Sequence, residues 1–122
     1  MISEEHAQGL LCRLDRRLRR FPVGASCAAC GCRNPLYLVW CPPVFFCREC
    51  NLVRQGRAST EVHHLGGKDS PHTEVVPANL HALLTFLQLL WRYVFEPCSP
   101  QAYLLDLLLL RVLGPSFGWE PH

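Results

Sequence analysis

The chain has 122 residues, a formal net charge of +2 and eight cysteines, which fits a single domain with a modest core. So small a charge does not by itself indicate a nucleic-acid partner. The most apolar runs, 79–91 and 102–110, are shorter than the ~20 residues of a membrane span. The start of the chain carries Glu4, Glu5 and His6 where a secretory signal needs a basic start and an apolar run. We therefore expect a cytoplasmic protein without a membrane partner, in which disulfides are rare.

Residues 3–20 are predicted to form an amphipathic helix. Ser3 can cap it, and the two glutamates that follow favour the positive end of the helix dipole. Five of the twelve basic residues lie between Arg13 and Arg20, largely off the apolar stripe formed by Leu11, Leu14, Leu18 and Phe21. A packing helix with a solvated basic face is favoured over a helix that contacts phosphate, because charge runs are usually solvated faces.

The spacing of the cysteines predicts a structural zinc site. Cys27-x-x-Cys30 and Cys47-x-x-Cys50 are separated by sixteen residues, which is typical of a four-cysteine zinc centre. Such a closed site leaves no open position for a substrate. Among the other cysteines, Cys32 can replace Cys30 in a variant knuckle, Cys41 is spare, and Cys12 and Cys98 are expected to be buried thiols.

Between the two cysteine pairs, residues 36–40 and 44–46 are predicted to be strands joined around Pro42-Pro43. The layout is that of a zinc ribbon or a treble-clef knuckle pair. A thiol redox role for Cys27-x-x-Cys30 is disfavoured, because such motifs sit at a strand–helix junction of a βαβ unit and no such unit is visible.

The middle of the chain predicts a strand–strand–helix unit. Residues 60–65 and 73–76 are short β-like runs around a Gly-Gly turn, and Glu61 shares a strand face with His63. Asn79 is expected to cap a helix over residues 80–96. Ser99 and Pro100 begin a second helix that runs to Leu113 and is apolar nearly all round.

The pattern Glu61-x-His63-His64, followed fifteen residues later by Asn79, resembles the HNH endonucleases, the ββα-metal family. The resemblance covers about thirty residues, Thr60 to Gln88, and many members of that family also carry paired Cys-x-x-Cys knuckles. Where the family pattern has His or Asn nine residues after the first Asn, this chain has Gln88.

The resemblance implies a role for each matching residue. His63 would ligate a catalytic metal, and His64 would be the general base for the attacking water. Asn79 would orient His64, and Glu61 would support the histidines. The remaining ligand would be Gln88 through its amide oxygen, with His81 or His72 as substitutes.

That residue set suits phosphodiester cleavage, which needs a base with a pKa near neutrality and a cation that stabilises the charge that develops. The metal is left open among Mg²⁺, Mn²⁺, Ni²⁺ and Zn²⁺. Simpler interpretations remain beside this one: Asn79 as a helix cap only, and His81, Gln88 and His72 as ordinary surface or loop residues.

We therefore predict an α+β fold: a small zinc-stapled ββα-metal core with an N-terminal amphipathic helix and a C-terminal apolar helical hairpin. The predicted layout is one domain with segments 1–22, 23–58, 59–96 and 97–122. The predicted function is a metal-dependent DNA endonuclease. The alternative is an inactive zinc-binding module that binds nucleic acid or a protein. The excess apolar surface of the last helix suggests a homodimer.

Overall fold

The structure, a computed structural model, describes residues 3–92 and 94–121. Its contacts group the chain into two units, Met1–Ser59 and Thr60–His122. The boundary falls one residue from the predicted join between the zinc-knuckle segment and the ββα segment. Helices and two small antiparallel sheets confirm the α+β class. Within the described residues, no helix combines the length and the apolar character that crossing a membrane requires.

Helix α1, Glu4–Arg19, opens the first unit. The side chain of Ser3 accepts a hydrogen bond from the backbone N–H of His6 at 3.2 Å, which confirms the predicted cap. One face of α1 is partly buried, at Ala7, Leu10, Leu14 and Arg17. No residue of the helix is fully buried, and Leu11, expected on the apolar stripe, remains 65% exposed. Beyond the helix, the Arg20 guanidinium donates to the carbonyls of Pro35 and Leu38 at 2.8 and 2.7 Å.

A β-hairpin and a short helix form the rest of the first unit. Strand β1, Leu38–Cys41, pairs with β2, Val44–Cys47, in antiparallel register, as the sequence predicts. Helix α2, Arg48–Arg54, follows directly and was not predicted. Its first turn contains the second Cys-x-x-Cys pair, so Cys47 lies at its cap and accepts a hydrogen bond from the N–H of Cys50 at 3.4 Å.

The second unit begins with the predicted hairpin and helix. Strand β3, Thr60–His64, pairs with β4, Thr73–Pro77, and helix α3, Ala78–Trp91, follows at once. The predicted cap is wrong: α3 begins at Ala78, so Asn79 lies inside its first turn and Pro77 holds the cap position without a side-chain hydrogen bond. The predicted helix over 80–96 also included Tyr93, which lies outside the described residues.

The core of the second unit forms where α3 packs against α4, Pro100–Leu113. Ser99 caps α4 through a hydrogen bond from Ala102 N–H at 3.2 Å, with Pro100 at the first helical position, as predicted. A 3-10 turn, Gly114–Phe117, follows. The core consists of Leu65, Val76, Leu80, Leu84, Leu110 and Trp119. Trp119 is buried in this core, so the chain after α4 is packed up to that residue. His122 lies outside the described residues.

Helix α4 is not buried on every side. Its outer face carries a stripe at four-residue spacing, Leu104, Leu108 and Val112, whose members are each about 60% exposed. The prediction that this helix is buried is therefore wrong for one of its faces.

Candidate metal centre and histidine site

Four cysteines of the first unit bring their sulfur atoms together. The Sγ atoms of Cys27, Cys30, Cys32 and Cys47 all lie within 4.8 Å of one another. Sulfur ligands ~2.3 Å from a tetrahedral ion are themselves about 3.8 Å apart, and the Sγ atoms of Cys30 and Cys47 are 3.8 Å apart. The cluster can therefore hold a structural metal ion, and its all-thiolate chemistry favours zinc.

Local backbone geometry explains why these thiols converge. The N–H of Gly31 donates to the carbonyl of Cys27 at 2.9 Å, and the N–H of Cys27 donates to the carbonyl of Cys32 at 2.8 Å, closing a tight turn. Gly31 has a φ of +80°, which a residue with a Cβ rarely adopts. The turn is held against the hairpin because the N–H of Ala28 donates to the carbonyl of Phe45 at 2.8 Å.

The backbone also stabilises one thiolate before any metal binds. Burial acts to raise the pKa of the Cys27 thiol, but N–H groups of Cys47, Cys30 and Ala29 donate to its sulfur, and together they lower the pKa to about 6. The N–H of Cys30 lies 3.5 Å from this sulfur. A metal ion arriving at neutral pH meets at least one ligand that is already deprotonated.

The group of four sulfurs contains Cys32 and not Cys50, which was predicted as the fourth ligand. Cys50 lies nearby and packs against the core that contains Cys27 and Cys47. Cys41 lies elsewhere, with its Sγ 3.5 Å from Asn51 Oδ1. All eight cysteines are free thiols. Cys12 and Cys98 are exposed rather than buried, so that expectation is wrong.

In the second unit, His63 points into the core and meets a residue that sequence reasoning did not single out. Its Nε2 lies 2.8 Å from Oδ1 of Asp106 on α4, and the side chains are 1% and 0% exposed. The N–H of Gly66 donates to the other oxygen, Oδ2, at 2.7 Å. A fully buried carboxylate is stable only when donors surround it, and these two supply part of that shell.

Gln88 is a third donor to the Asp106 carboxylate. Its Nε2 donates to Asp106 Oδ2 at 2.7 Å and to the carbonyl of His64 at 2.9 Å. Because both partners only accept hydrogen bonds, the side-chain nitrogen of Gln88, and not its oxygen, faces them. Gln88 and His63 therefore bind the same carboxylate.

His64, the expected general base, lies at the end of β3 and is half-buried. Its Nδ1 is 3.0 Å from the carbonyl of Ser70 in the loop between β3 and β4. Because a carbonyl only accepts, Nδ1 carries a hydrogen, and in the neutral ring the lone pair therefore lies on Nε2.

The other predicted site residues are distributed around this pair. His81 Nδ1 lies 3.4 Å from Glu61 Oε1, and the His81 ring packs edge-on against His63 with centroids 5.4 Å apart. His72 packs against Tyr103 with ring centroids 4.9 Å apart. Asn79 is buried in the first turn of α3.

Of the histidine, cysteine and acidic side chains in the described residues, the cysteine cluster is the one group of three or more that converges on a possible ion. Two of the predicted catalytic metal ligands, His63 and Gln88, thus bind the Asp106 carboxylate, while the third, His81, lies beside Glu61. A signal for Asp106 was present in the sequence: it is the lone acid in an apolar helix, a position that demands buried partners.

No protein-family model, curated protein or solved structure matches this chain. The geometry of the site is therefore the basis for a functional proposal.

Proposed function

We propose that the chain is a zinc-stabilised, HNH-like module that binds nucleic acid through its first unit and does not cleave it. The observation that supports binding is the segregation of charge. Residues 1–59 hold nine of the twelve basic and four of the ten acidic side chains, a net charge of +5, whereas residues 60–122 carry −3. Clustered positive charge attracts phosphate, and most of the free energy of non-specific binding comes from it.

The nine arginines of the first unit differ in their surroundings. Arg17 and Arg20 donate to backbone carbonyls of the loop before β1, at 3.5 Å to Leu36 and 2.8 Å to Pro35, so they help to hold the unit together. Arg13 and Arg16 are exposed on α1, and Arg33 is exposed beside the cysteine turn. We assign phosphate contacts to these exposed side chains.

The argument against cleavage rests on Asp106. For His63 and Gln88 to bind a catalytic metal, both would have to leave a carboxylate that is 0% exposed. Each hydrogen bond to a buried charge contributes about 1.5–3 kcal/mol, so a metal would first have to offset their loss. The second unit is also acidic, which disfavours the approach of a phosphate backbone.

The orientation of His64 favours a second candidate, the HNH endonuclease. With Nδ1 held by Ser70, the Nε2 lone pair can accept a proton from water that attacks a phosphodiester. In this candidate His63 and Gln88, with His81, would hold a divalent ion, which would stabilise the charge that develops on the phosphate. Glu61 would support His81 through the 3.4 Å contact between them.

One plasmid assay separates the two candidates. Supercoiled DNA is incubated with protein and Mg²⁺, Mn²⁺, Ni²⁺ or Zn²⁺, beside a His64→Ala control. We expect no nicking with any metal. Nicking that disappears in the control would establish the endonuclease and refute the non-catalytic proposal.

Binding is tested by fluorescence anisotropy with a labelled duplex over a series of salt concentrations. We expect the double variant Arg13→Glu, Arg16→Glu to weaken binding at least tenfold and to make the salt dependence shallower, because each lost phosphate contact removes about 0.9 from the log–log slope. The matched control, Lys68→Glu with Arg111→Glu, changes the same charge in the acidic unit and should leave binding unchanged. Equal losses in both variants would contradict the assignment to the first unit.

A further inference from the structure

The cysteine cluster contains one thiol more than a tetrahedral ion can bind. Cys27, Cys30 and Cys47 belong both to the group of four in the structure and to the predicted ligand set. Cys32 completes the set whose sulfurs lie within 4.8 Å of one another, while Cys50 packs against the core that contains Cys27 and Cys47. Zinc in a structural site takes four ligands, so one of these two thiols is left over whenever the site is filled.

The two candidates for the fourth position come from different parts of the unit. Cys32 lies in the tight turn after Cys30, and its Sγ lies within 4.8 Å of those of Cys30 and Cys47. Cys50 lies in the first turn of α2, where its N–H already donates to Cys47 Sγ at 3.4 Å. Both side chains are half-buried. Neither has to cross the unit to reach the shared three sulfurs.

We propose that Cys32 and Cys50 are interchangeable fourth ligands of one metal ion held by Cys27, Cys30 and Cys47. In the exchange, the incoming thiol releases its proton as its sulfur bonds to the metal. The departing thiolate takes up a proton as its bond to the metal breaks. The metal remains divalent and no electrons are transferred. The inference concerns the metal site alone and holds whether or not the unit binds nucleic acid.

Metal retention in single and double variants tests the proposal. Full-length Cys32→Ala, Cys50→Ala and the double variant are purified under reducing conditions, and zinc is measured by mass spectrometry. We expect about one zinc per chain in each single variant and loss of zinc in the double variant. Cys47→Ala, which removes a shared ligand, should lose zinc by itself. If one of the two single variants loses zinc and the other keeps it, the fourth ligand is fixed and the proposal is overturned.

Cobalt substitution reports the ligands directly. Both single variants should keep the intense visible bands of tetrahedral cobalt with four thiolates, and the double variant should lose them. Retention of these bands in the double variant would overturn the proposal.

Alkylation of the zinc-loaded natural protein avoids variants that fail to fold. N-ethylmaleimide is added in excess, and each cysteine is quantified by peptide mass spectrometry. Alkylating one candidate traps the other as a ligand, so we expect chains labelled at Cys32 or at Cys50 and none labelled at both. Complete labelling of one with complete protection of the other would show a fixed ligand.

Discussion

Replacing Asp106 tests the buried network of the second unit most directly. Its carboxylate accepts from His63 and Gly66 and from the amide of Gln88, with all three contacts between 2.7 and 2.8 Å. Asp106→Ala leaves these donors without their acceptor inside a core where the replaced side chain was 0% exposed. Each buried donor left without an acceptor costs about 1–3 kcal/mol, and we expect a total loss of about 3–5 kcal/mol in the free energy of unfolding.

The variant Asp106→Asn should be much milder for a geometric reason. Two of the three donors converge on Oδ2, while Oδ1 faces only His63 Nε2. The asparagine side chain can keep its amide oxygen at the Oδ2 position and direct its NH₂ at His63, which then adopts the tautomer with a lone pair on Nε2. The expected cost is about 1–2 kcal/mol, the difference between charged and neutral hydrogen bonds.

The assay is urea unfolding followed by tryptophan fluorescence. Of the three tryptophans, Trp91 and Trp119 are buried in the second unit, so a Trp40→Phe background isolates its transition. Gln101→Ala, at an exposed position of α4, is the control and should stay within about 0.5 kcal/mol. A cost for Asp106→Ala below about 1 kcal/mol, or equal costs for the alanine and asparagine variants, would refute the network.

Three further predictions concern the first unit and the surface of α4. Arg20→Ala should lower the free energy of unfolding of the first unit by about 1 kcal/mol, because its partly exposed guanidinium donates to two backbone carbonyls. Arg16→Ala is the control and should change little, and both are measured by Trp40 fluorescence in urea. The zinc-free, reduced protein should gain stability as the pH rises from about 6 towards 9, because the pKa of Cys27 is lowered to about 6 in the folded state. A Cys27→Ala variant whose free energy of unfolding rises with pH at the same slope would contradict this. If the exposed stripe of α4 pairs with a second copy of the chain, Leu108→Glu should convert the dimer to a monomer in light scattering. A natural protein that is monomeric at high concentration would rule that interface out.

The sequence by itself determined the local structure well. Short-range rules explain three features. A hydroxyl before a glutamate pair gives the cap at Ser3, and apolar runs separated by turns give both hairpins. Proline at a first helical position gives the start of α4. The convergence of Cys27, Cys30 and Cys47 also follows from spacing, because a Cys-x-x-Cys turn aims both sulfurs at one point.

Tertiary structure decided what those elements do. Cys32 joins the cluster because a turn closes between Cys27 and Cys32, which spacing does not reveal. Asp106 meets His63 across 43 residues of sequence, and only the packing of α4 brings the two together. The sequence does not distinguish a histidine that ligates a metal from one that is hydrogen-bonded to a buried carboxylate. The difference lies in which partner occupies the space beside the ring.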